Sequence, residues 1–443
     1  MASLVGPRTK GLRLSSPRPL EELRADLREH PRPLDDDLFG LPLLTLDDAA
    51  LAHNIGTMAR ACVEYDVLHA PHVKTPMSAD IWARQEAAGA WAATVAMPHQ
   101  LRAVRDWGAR RVLLANELVD VRDARALAAD LARDPGAEVW LEVDSTVGIE
   151  VLTAAFTDAD DSARARLHPL VEVGVPGGRT GVRSPDAAVA LARGLLEAGL
   201  GVAGVIGYEG PAAADATPAD LAAVAAWLAD LVRAAEAVAR AAQAGPVPEP
   251  PTGREGLTGD GGTPAAFVLS VGGSAYLDVV LPALSRVRER GWTPVVRAGS
   301  YVAHDDGHYA DVDPWARLPG GASLRSAATV LAPVLSVPEP GLALLGAGRR
   351  DLPFDAGLPR PLWWRRWTPG CVGSPATPFA AASRVTGLND QHAFVSLDGA
   401  DTGLHPGAVV GLGISHPCTV FDKWRLAALV RDDAVVDLYP LDF

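Results

Sequence analysis

The chain has 443 residues, of which 48% are hydrophobic and 21% charged, so it can bury a large core and is long enough to predict two domains. A net charge of −14 with no run of Lys or Arg excludes a nucleic-acid-binding face. Three cysteines, Cys62, Cys371 and Cys418, are too few for a disulfide framework and fit a reducing cytoplasm.

The opening MASLVGPRTKGLRLSS carries no apolar core of the signal-peptide kind. Residues 1–40, rich in Pro, Arg and Asp, read as an arm packing on a β-rich domain. LPLLTL (41–46) reads as a strand, and Asp47 as the cap of a helix in which Leu51, Ile55, Met58 and Cys62 recur at helical spacing. A rhythm follows. Apolar runs at 67–73, 90–97, 111–116, 137–144, 167–175, 201–208, 265–273 and 293–299 alternate with amphipathic stretches. Eight such runs predict a (β/α)8 TIM barrel over 41–300. The Pro/Gly-rich stretch 244–264 accounts for the wide gap before the seventh run and reads as a mobile surface loop. The most apolar stretch, AAVALARGLLEAGLGVAGVIGY, is broken by Arg193 and Glu197 and reads as helix then strand, so no membrane span is expected. From 301 to 443, short apolar runs among prolines and glycines predict a C-terminal β-rich domain.

In such a barrel the reacting groups sit at the C-terminal ends of the strands. Lys74 follows the first strand in HAPHVKTP and points to the mouth, or is a solvated strand-end lysine. Two glycine turns follow strands seven and eight: VGGSAY, with Gly272, Gly273 and Ser274, and RAGSYV, with Gly299, Ser300 and Tyr301. Barrels bind phosphate at those two places through backbone N–H groups. A mouth lysine opposite a phosphate cradle points to pyridoxal phosphate held as a Schiff base. In GISHPCTVFDKW, His416 and Cys418 share one face if the segment is a strand. They are then either zinc ligands or a packed histidine and a buried cysteine. Two protein ligands leave positions for water and substrate, so such a metal would be catalytic.

Together PHVKT, GGSAY, AGSYV and GISHPCTVFDKWR resemble the alanine-racemase-like, fold-type III pyridoxal-phosphate enzymes, in order from about residue 40 to 430. The branch they most resemble holds D-serine dehydratase, D-threonine aldolase and bacterial amino acid deaminases. The resemblance implies a cofactor-carrying barrel, a C-terminal β domain, and a homodimer whose second subunit helps close the site. It makes Lys74 the Schiff-base lysine and Cα base, and sets Gly273, Ser274, Gly299, Ser300 and Tyr301 around the phosphate. His416 and Cys418 would hold a divalent metal, zinc or manganese, beside the β-hydroxyl of a D-amino acid. Arg179, in GRTGV, either faces the cofactor ring or forms a surface ion pair. Tyr208, in GYEG, faces ring or substrate, or is a rim aromatic. His72 shares a strand face with Lys74. His392 falls where relatives carry a Glu-His pair, with Gln391 in place of the acid. The implied activity is D-serine dehydratase-like, giving a 2-oxo acid and ammonia. Aldolase-type cleavage to glycine and an aldehyde is the alternative, with an amino acid racemase or a non-catalytic carrier behind it. Dehydratase relatives use H-x-C with zinc and aldolase relatives H-x-D, so Cys418, a soft ligand, favours the dehydratase.

Overall fold

The computed structural model describes residues 4–243, 267–320, 323–366, 375–399 and 403–443. The surface loop expected at 244–264 lies outside the described residues, as does Cys371. One sheet contains eight parallel strands: Leu68–His69, Ala93–Val95, Arg111–Glu117, Glu138–Val143, Leu167–Glu172, Gly204–Ile206, Val268–Val271 and Thr293–Val296. The eighth pairs with the first. The first and second meet at a parallel bridge between His72 and Thr94, with Val73 N donating to Thr94 O at 2.9 Å. The sheet therefore closes on itself as the barrel expected from the eight runs.

Alternation along the strands sorts the barrel interior into layers. The floor is apolar. Trp140 stacks on His168 at 4.4 Å and meets Trp91 edge-on at 4.6 Å, packed among Leu113, Leu170, Ile206, Val268 and Val295. Two residues further along, the same inward positions hold Glu142, Glu172, Tyr208, Ser270 and Arg297. The next rung brings Gly272 and Gly299 to the rim. A sealed floor, a charged middle and a glycine rim thus follow from the period of a strand. Outside, each helix buries its apolar stripe on the strands. Helix Val121–Arg133, capped by Asp120, buries Ala124, Leu127, Ala128 and Leu131.

The second sheet is mostly antiparallel and includes Ala328–Glu339, Arg360–Arg365, Val409–Gly413, Leu426–Arg431 and Ala434–Pro440. Leu43–Asp47 also belongs to it, antiparallel to Ala328–Glu339 and parallel to Leu426–Arg431, although it falls in the stretch expected to form the barrel. Both its faces are covered. Leu43 packs in the cluster formed with the arm, and Leu44 and Leu46 pack in the main core. Asp47 then caps helix Asp48–Glu64, accepting from Ala50 N at 2.6 Å. No helix among the described residues is long and apolar enough to cross a membrane.

In the arm, helix Leu20–Glu29 packs on Ala434–Pro440 through Leu20, Leu23 and Leu27, and Arg32–Pro33 pairs with that strand. Arg24, 5% exposed, bonds Asp437 through Nε at 2.9 Å and also reaches Asp80 on barrel helix Ala79–Ala87. It thereby joins arm, sheet and barrel. Removing Arg24 leaves Asp437 with Arg28, whose Nε donates to its Oδ2 at 2.9 Å, but takes the cation from Asp80 and half the pairing from a buried carboxylate. Arg24→Met is expected to lower unfolding free energy by about 3 kcal/mol in urea titration; a loss below about 0.5 kcal/mol would place these contacts among the inconsequential surface pairs.

Candidate active site

Lys74 lies in the turn after the first barrel strand and lines a cavity of about 390 Å³ at the barrel mouth. Burial, reinforced by Arg179 and Arg297, lowers its pKa, while Cys418 and Glu142 oppose the shift. A lysine pushed this way offers a neutral amine more readily, which suits a nucleophile or a base. His72 lines the same wall. Its Nδ1 is buried without a hydrogen-bond partner, and burial with Lys74 and Arg297 holds the ring neutral.

The segment carrying His416 and Cys418 is not the strand that would put them on one face. The strand Val409–Gly413 ends first, His416 lies in the turn, and Cys418 opens the short helix Cys418–Phe421. Pro417, at φ −61° and ψ −41°, starts that helical turn and folds the pair together. Cys418 Sγ is 3.2 Å from Thr75 Oγ1 and 3.5 Å from Ser300 Oγ, so the turn seats on the barrel mouth beside Lys74. Burial works against the thiolate, yet His416, Ser300 and Thr75 together hold the Cys418 pKa below its ordinary value. Burial likewise works against the imidazolium, but Cys418 and Asp355 push His416 up to about 9.

Asp355 is a residue the sequence did not announce. Its Oδ2 is 2.6 Å from His416 Nδ1, and its Oδ1 accepts from Thr419 Oγ1 at 2.5 Å. That leaves the other ring nitrogen for Cys418. A carboxylate behind an imidazole fixes the ring's tautomer and orientation toward a metal. The donor set therefore fits a divalent ion held between imidazole and thiol, with zinc suited by softness.

Among the described residues, the group of three metal-capable side chains with ligand atoms within 4.8 Å of one another is Glu117, Asp144 and Glu172. Burial and the neighbouring carboxylates push Glu117 up to about 9. At that value it holds a proton at neutral pH, which relieves the repulsion among the three carboxylates. Burial and Glu172 push Glu142 up to about 8, against the pull of Arg297.

The two glycine turns behave differently. At strand seven, Gly273 N donates to Glu209 Oε1 at 2.6 Å, so a fully buried carboxylate already braces that turn. Gly272 sits at φ +119°, a backbone that favours glycine. At strand eight, a Cβ on Gly299 would stand 2.4 Å from His72 O, so only glycine lets the turn press on the first strand. Ser274 and Ser300 line the cavity. Tyr301 does not: it is 2% exposed, its hydroxyl accepts from Gln85 Nε2 at 2.9 Å, and its ring meets His69 edge-on. The short helix Ser300–Val302 turns its side chain into the barrel wall, away from the expected phosphate site.

Arg179 lines the cavity from an exposed loop, its guanidinium 5.0 Å from the centre of the Tyr208 ring. Tyr208 lines it too, and burial pushes its phenol up to about 12. Arg297 is the cation the sequence reading missed. It is 4% exposed and donates to Ser270 Oγ and Gly207 O, both at 2.8 Å. Its signal was position: two residues before Gly299 on an inward-facing strand. Tyr309, also missed, lines the cavity with its ring 6.4 Å from that of His416. His392 and Gln391 are exposed and lie outside the cavity; Gln391 Nε2 instead donates to Asp351 Oδ2 at 3.1 Å. A buried fixed cation, two serines, an unpartnered imidazole nitrogen and a lysine in one cavity fit an anionic cofactor with a planar ring and a carbonyl for the lysine.

Residues 327–430 match the serine dehydratase domain family. The chain is 28% identical over 406 residues to a D-threonine aldolase of Arthrobacter sp., covering 90% of this chain and 91% of that protein. It is 29% identical over 291 residues to the D-threo-3-hydroxyaspartate dehydratase of Delftia sp. (strain HT23), covering 60% of this chain and 75% of that one. The crystal structure of D-threonine aldolase from Filomicrobium marinum superposes with a TM-score of 0.71 at 25% identity, covering 93% of this chain and 97% of that one.

The protonated Glu117 has a consequence for stability. A carboxyl whose pKa is raised on folding contributes stability below its unfolded value, and that contribution is lost as pH rises through the folded value. For Glu117 the window runs from the ordinary glutamate value of 4.5 to about 9. Glu117→Gln, which keeps the shape without the titration, is expected to gain stability over the parent as pH rises from 6 to 9 in urea unfolding of the cofactor-free protein. A difference that stays flat across that range would show that Glu117 titrates normally.

Proposed function

From its place in the alanine-racemase-like, fold-type III class of pyridoxal-phosphate enzymes, in the D-serine dehydratase and D-threonine aldolase branch to which this chain belongs, we propose a lyase that eliminates water from D-β-hydroxy amino acids, the released enamine then taking up water and losing ammonia to give a 2-oxo acid. The observation that carries the dehydratase reading is the Cys418 thiol, paired with His416 and 3.2 Å from the threonine next to Lys74. The D configuration comes from the names of the relatives.

Lys74, Ser274, Ser300, Arg297 and His72 would hold pyridoxal phosphate, and His416 and Cys418 a zinc ion. When bound, the first supplies an electron sink for charge at Cα and the second Lewis acidity at the β-oxygen. The chain's own groups do the rest. Lys74 takes the Cα proton as a neutral amine, helped by the burial that lowers its pKa. Arg297 supplies a positive charge that does not titrate, fixed by Ser270 and Gly207. Asp355 keeps the His416 ring turned toward Cys418. The apolar floor around Trp140 closes the far end of the barrel to water. A homodimer, with the second subunit capping the mouth, is part of the same reading.

Retro-aldol cleavage is the second reading, favoured by likeness to the Arthrobacter aldolase along nearly its whole length. Incubation with D-serine and with D-threonine, followed by assays for pyruvate, 2-oxobutyrate and glycine, separates the two. Pyruvate and 2-oxobutyrate are expected; glycine with acetaldehyde from D-threonine as the main products would establish the aldolase instead. Lys74→Ala is expected to lower kcat by at least ~10²-fold, the lower range for losing a positioned base. Cys418→Ala should lose activity that added zinc does not restore. A Cys418→Ala protein as active as its parent would take the metal pair out of the reaction.

A further inference from the structure

The orientation of His416 rests on Asp355, yet Asp355 is exposed and lies on a connection outside any strand. What anchors that connection is four residues earlier. Asp351 is 2% exposed and shares its carboxylate widely. Its Oδ1 accepts from Lys10 Nζ at 3.0 Å, and its Oδ2 accepts from Gly348 N at 3.0 Å and Gln391 Nε2 at 3.1 Å. Lys10 Nζ also donates to Arg350 O at 3.0 Å. On its other side, the same ammonium stands 3.9 Å from the centre of the Trp424 ring, whose Nε1 donates to Asp351 O at 3.1 Å. Trp424 is 2% exposed, and its backbone N donates to Phe421 O at 3.0 Å, closing the helical turn that Cys418 opens.

One lysine from the arm therefore touches both segments whose relative placement sets the Asp355–His416 contact. We propose that Lys10 is a positioning residue for the His416–Cys418 pair, locking the Asp351–Asp355 connection against the Cys418–Trp424 segment so that Asp355 presents its carboxylate to His416. This rests on the metal-pair reading given above. The physical reason is the burial of Asp351. Without the ammonium, a carboxylate 3% exposed in its side chain loses its charge partner and must move to find water. Leu352, fully buried, joins it directly to the Pro353–Asp355 stretch, so the movement passes along the connection. The hydrogen bonds of the Asp355 carboxylate to Thr419 and His416 lie on the other segment, and a shift between the two segments reaches the imidazole first.

The test measures zinc affinity directly on the full-length, cofactor-loaded protein stripped of metal, by competition with a chromophoric chelator. Lys10→Met is expected to weaken zinc binding by about 10-fold, the lower end for partners lying behind a ligand. Lys10→Arg should recover most of that loss. Asp351→Asn, which keeps the shape of the hub, should weaken zinc as Lys10→Met does. Asp355→Ala should also weaken zinc, and Lys10→Met added to Asp355→Ala should weaken it little further, because the two act through one contact. Zinc affinity unchanged in Lys10→Met, while Cys418→Ala loses it, would overturn the role of Lys10 alone. So would full additivity of Lys10→Met and Asp355→Ala, or a Lys10→Met protein that melts lower yet binds zinc as its parent does. Zinc affinity unchanged in Cys418→Ala would overturn the metal pair, and the role of Lys10 with it.

Discussion

The contact between Thr75 Oγ1 and Cys418 Sγ, at 3.2 Å, is the point on which the rest of the molecule turns. On one side stands the barrel, which supplies an amine and a buried guanidinium. On the other stands the antiparallel sheet, which supplies an imidazole and a thiol. Neither half contains a complete set of groups. The path of the chain keeps them in register. It leaves the sheet at Leu43–Asp47, crosses to the barrel along helix Asp48–Glu64, and returns at Ala328 to pair with the strand it left. Asn54, fully buried on that helix, fixes the return. Its Nδ2 donates to Val302 O and Arg325 O, and its Oδ1 accepts from Arg325 N. The crossing out of the barrel is thus tied to the crossing in, and the Thr75–Cys418 distance follows from both.

The charged middle layer of the barrel is a problem that the fold solves by moving protons. Charges removed from water are costly unless they pair or neutralise. Glu142, at about 8, and Glu117, at about 9, keep their protons near neutral pH, and Lys74 is shifted toward its neutral form. Glu172 and Glu209 are shifted upward for the same reason, burial first. Arginine cannot follow. Arg297 keeps its charge, with two of its five N–H groups donating to a hydroxyl and a carbonyl. The layer is left with a fixed positive charge next to a cavity, which is the electrostatic condition an anionic cofactor meets.

The barrel was legible because its strands and helices repeat two different periods, and eight repeats leave little choice of architecture. Lys74 and the glycine turns were legible from where they fall in that repeat. Leu43–Asp47 was legible as a strand but not as a member of the other sheet, because a strand buried on both faces reads the same in either. The closeness of His416 and Cys418 was read for the wrong reason: a proline-started helical turn brings them together where strand alternation was expected. Tyr301 shows the same limit, since one residue of rotation in Ser300–Val302 separates a cavity-lining serine from a core tyrosine. Asp355 left no trace, because its partner His416 is 61 residues away and only folding makes them neighbours. Arg297 was hidden by its ordinary surroundings in a strand, where only the inward parity of its position marks it.

The choice between the two lyase reactions comes down to whether the β-oxygen receives a proton or gives one up. Elimination needs a donor at that oxygen, so that it departs as water. Retro-aldol cleavage needs an acceptor, so that a carbonyl can form. The side chain on the cavity wall facing the His416 ring is Tyr309, and burial, together with Cys418, raises its phenol well above the ordinary range. A phenol raised in this way keeps its proton at neutral pH, so its O–H stays available as a hydrogen-bond donor. His416 is raised as well, and its Nδ1 is committed to Asp355. Lys74 and His72, both on the first-strand side of the cavity, are shifted toward their neutral, proton-accepting forms. The cavity therefore sets a neutral amine and a neutral imidazole on the first-strand side and a protonated phenol beside His416, an arrangement that supports the elimination reading proposed above.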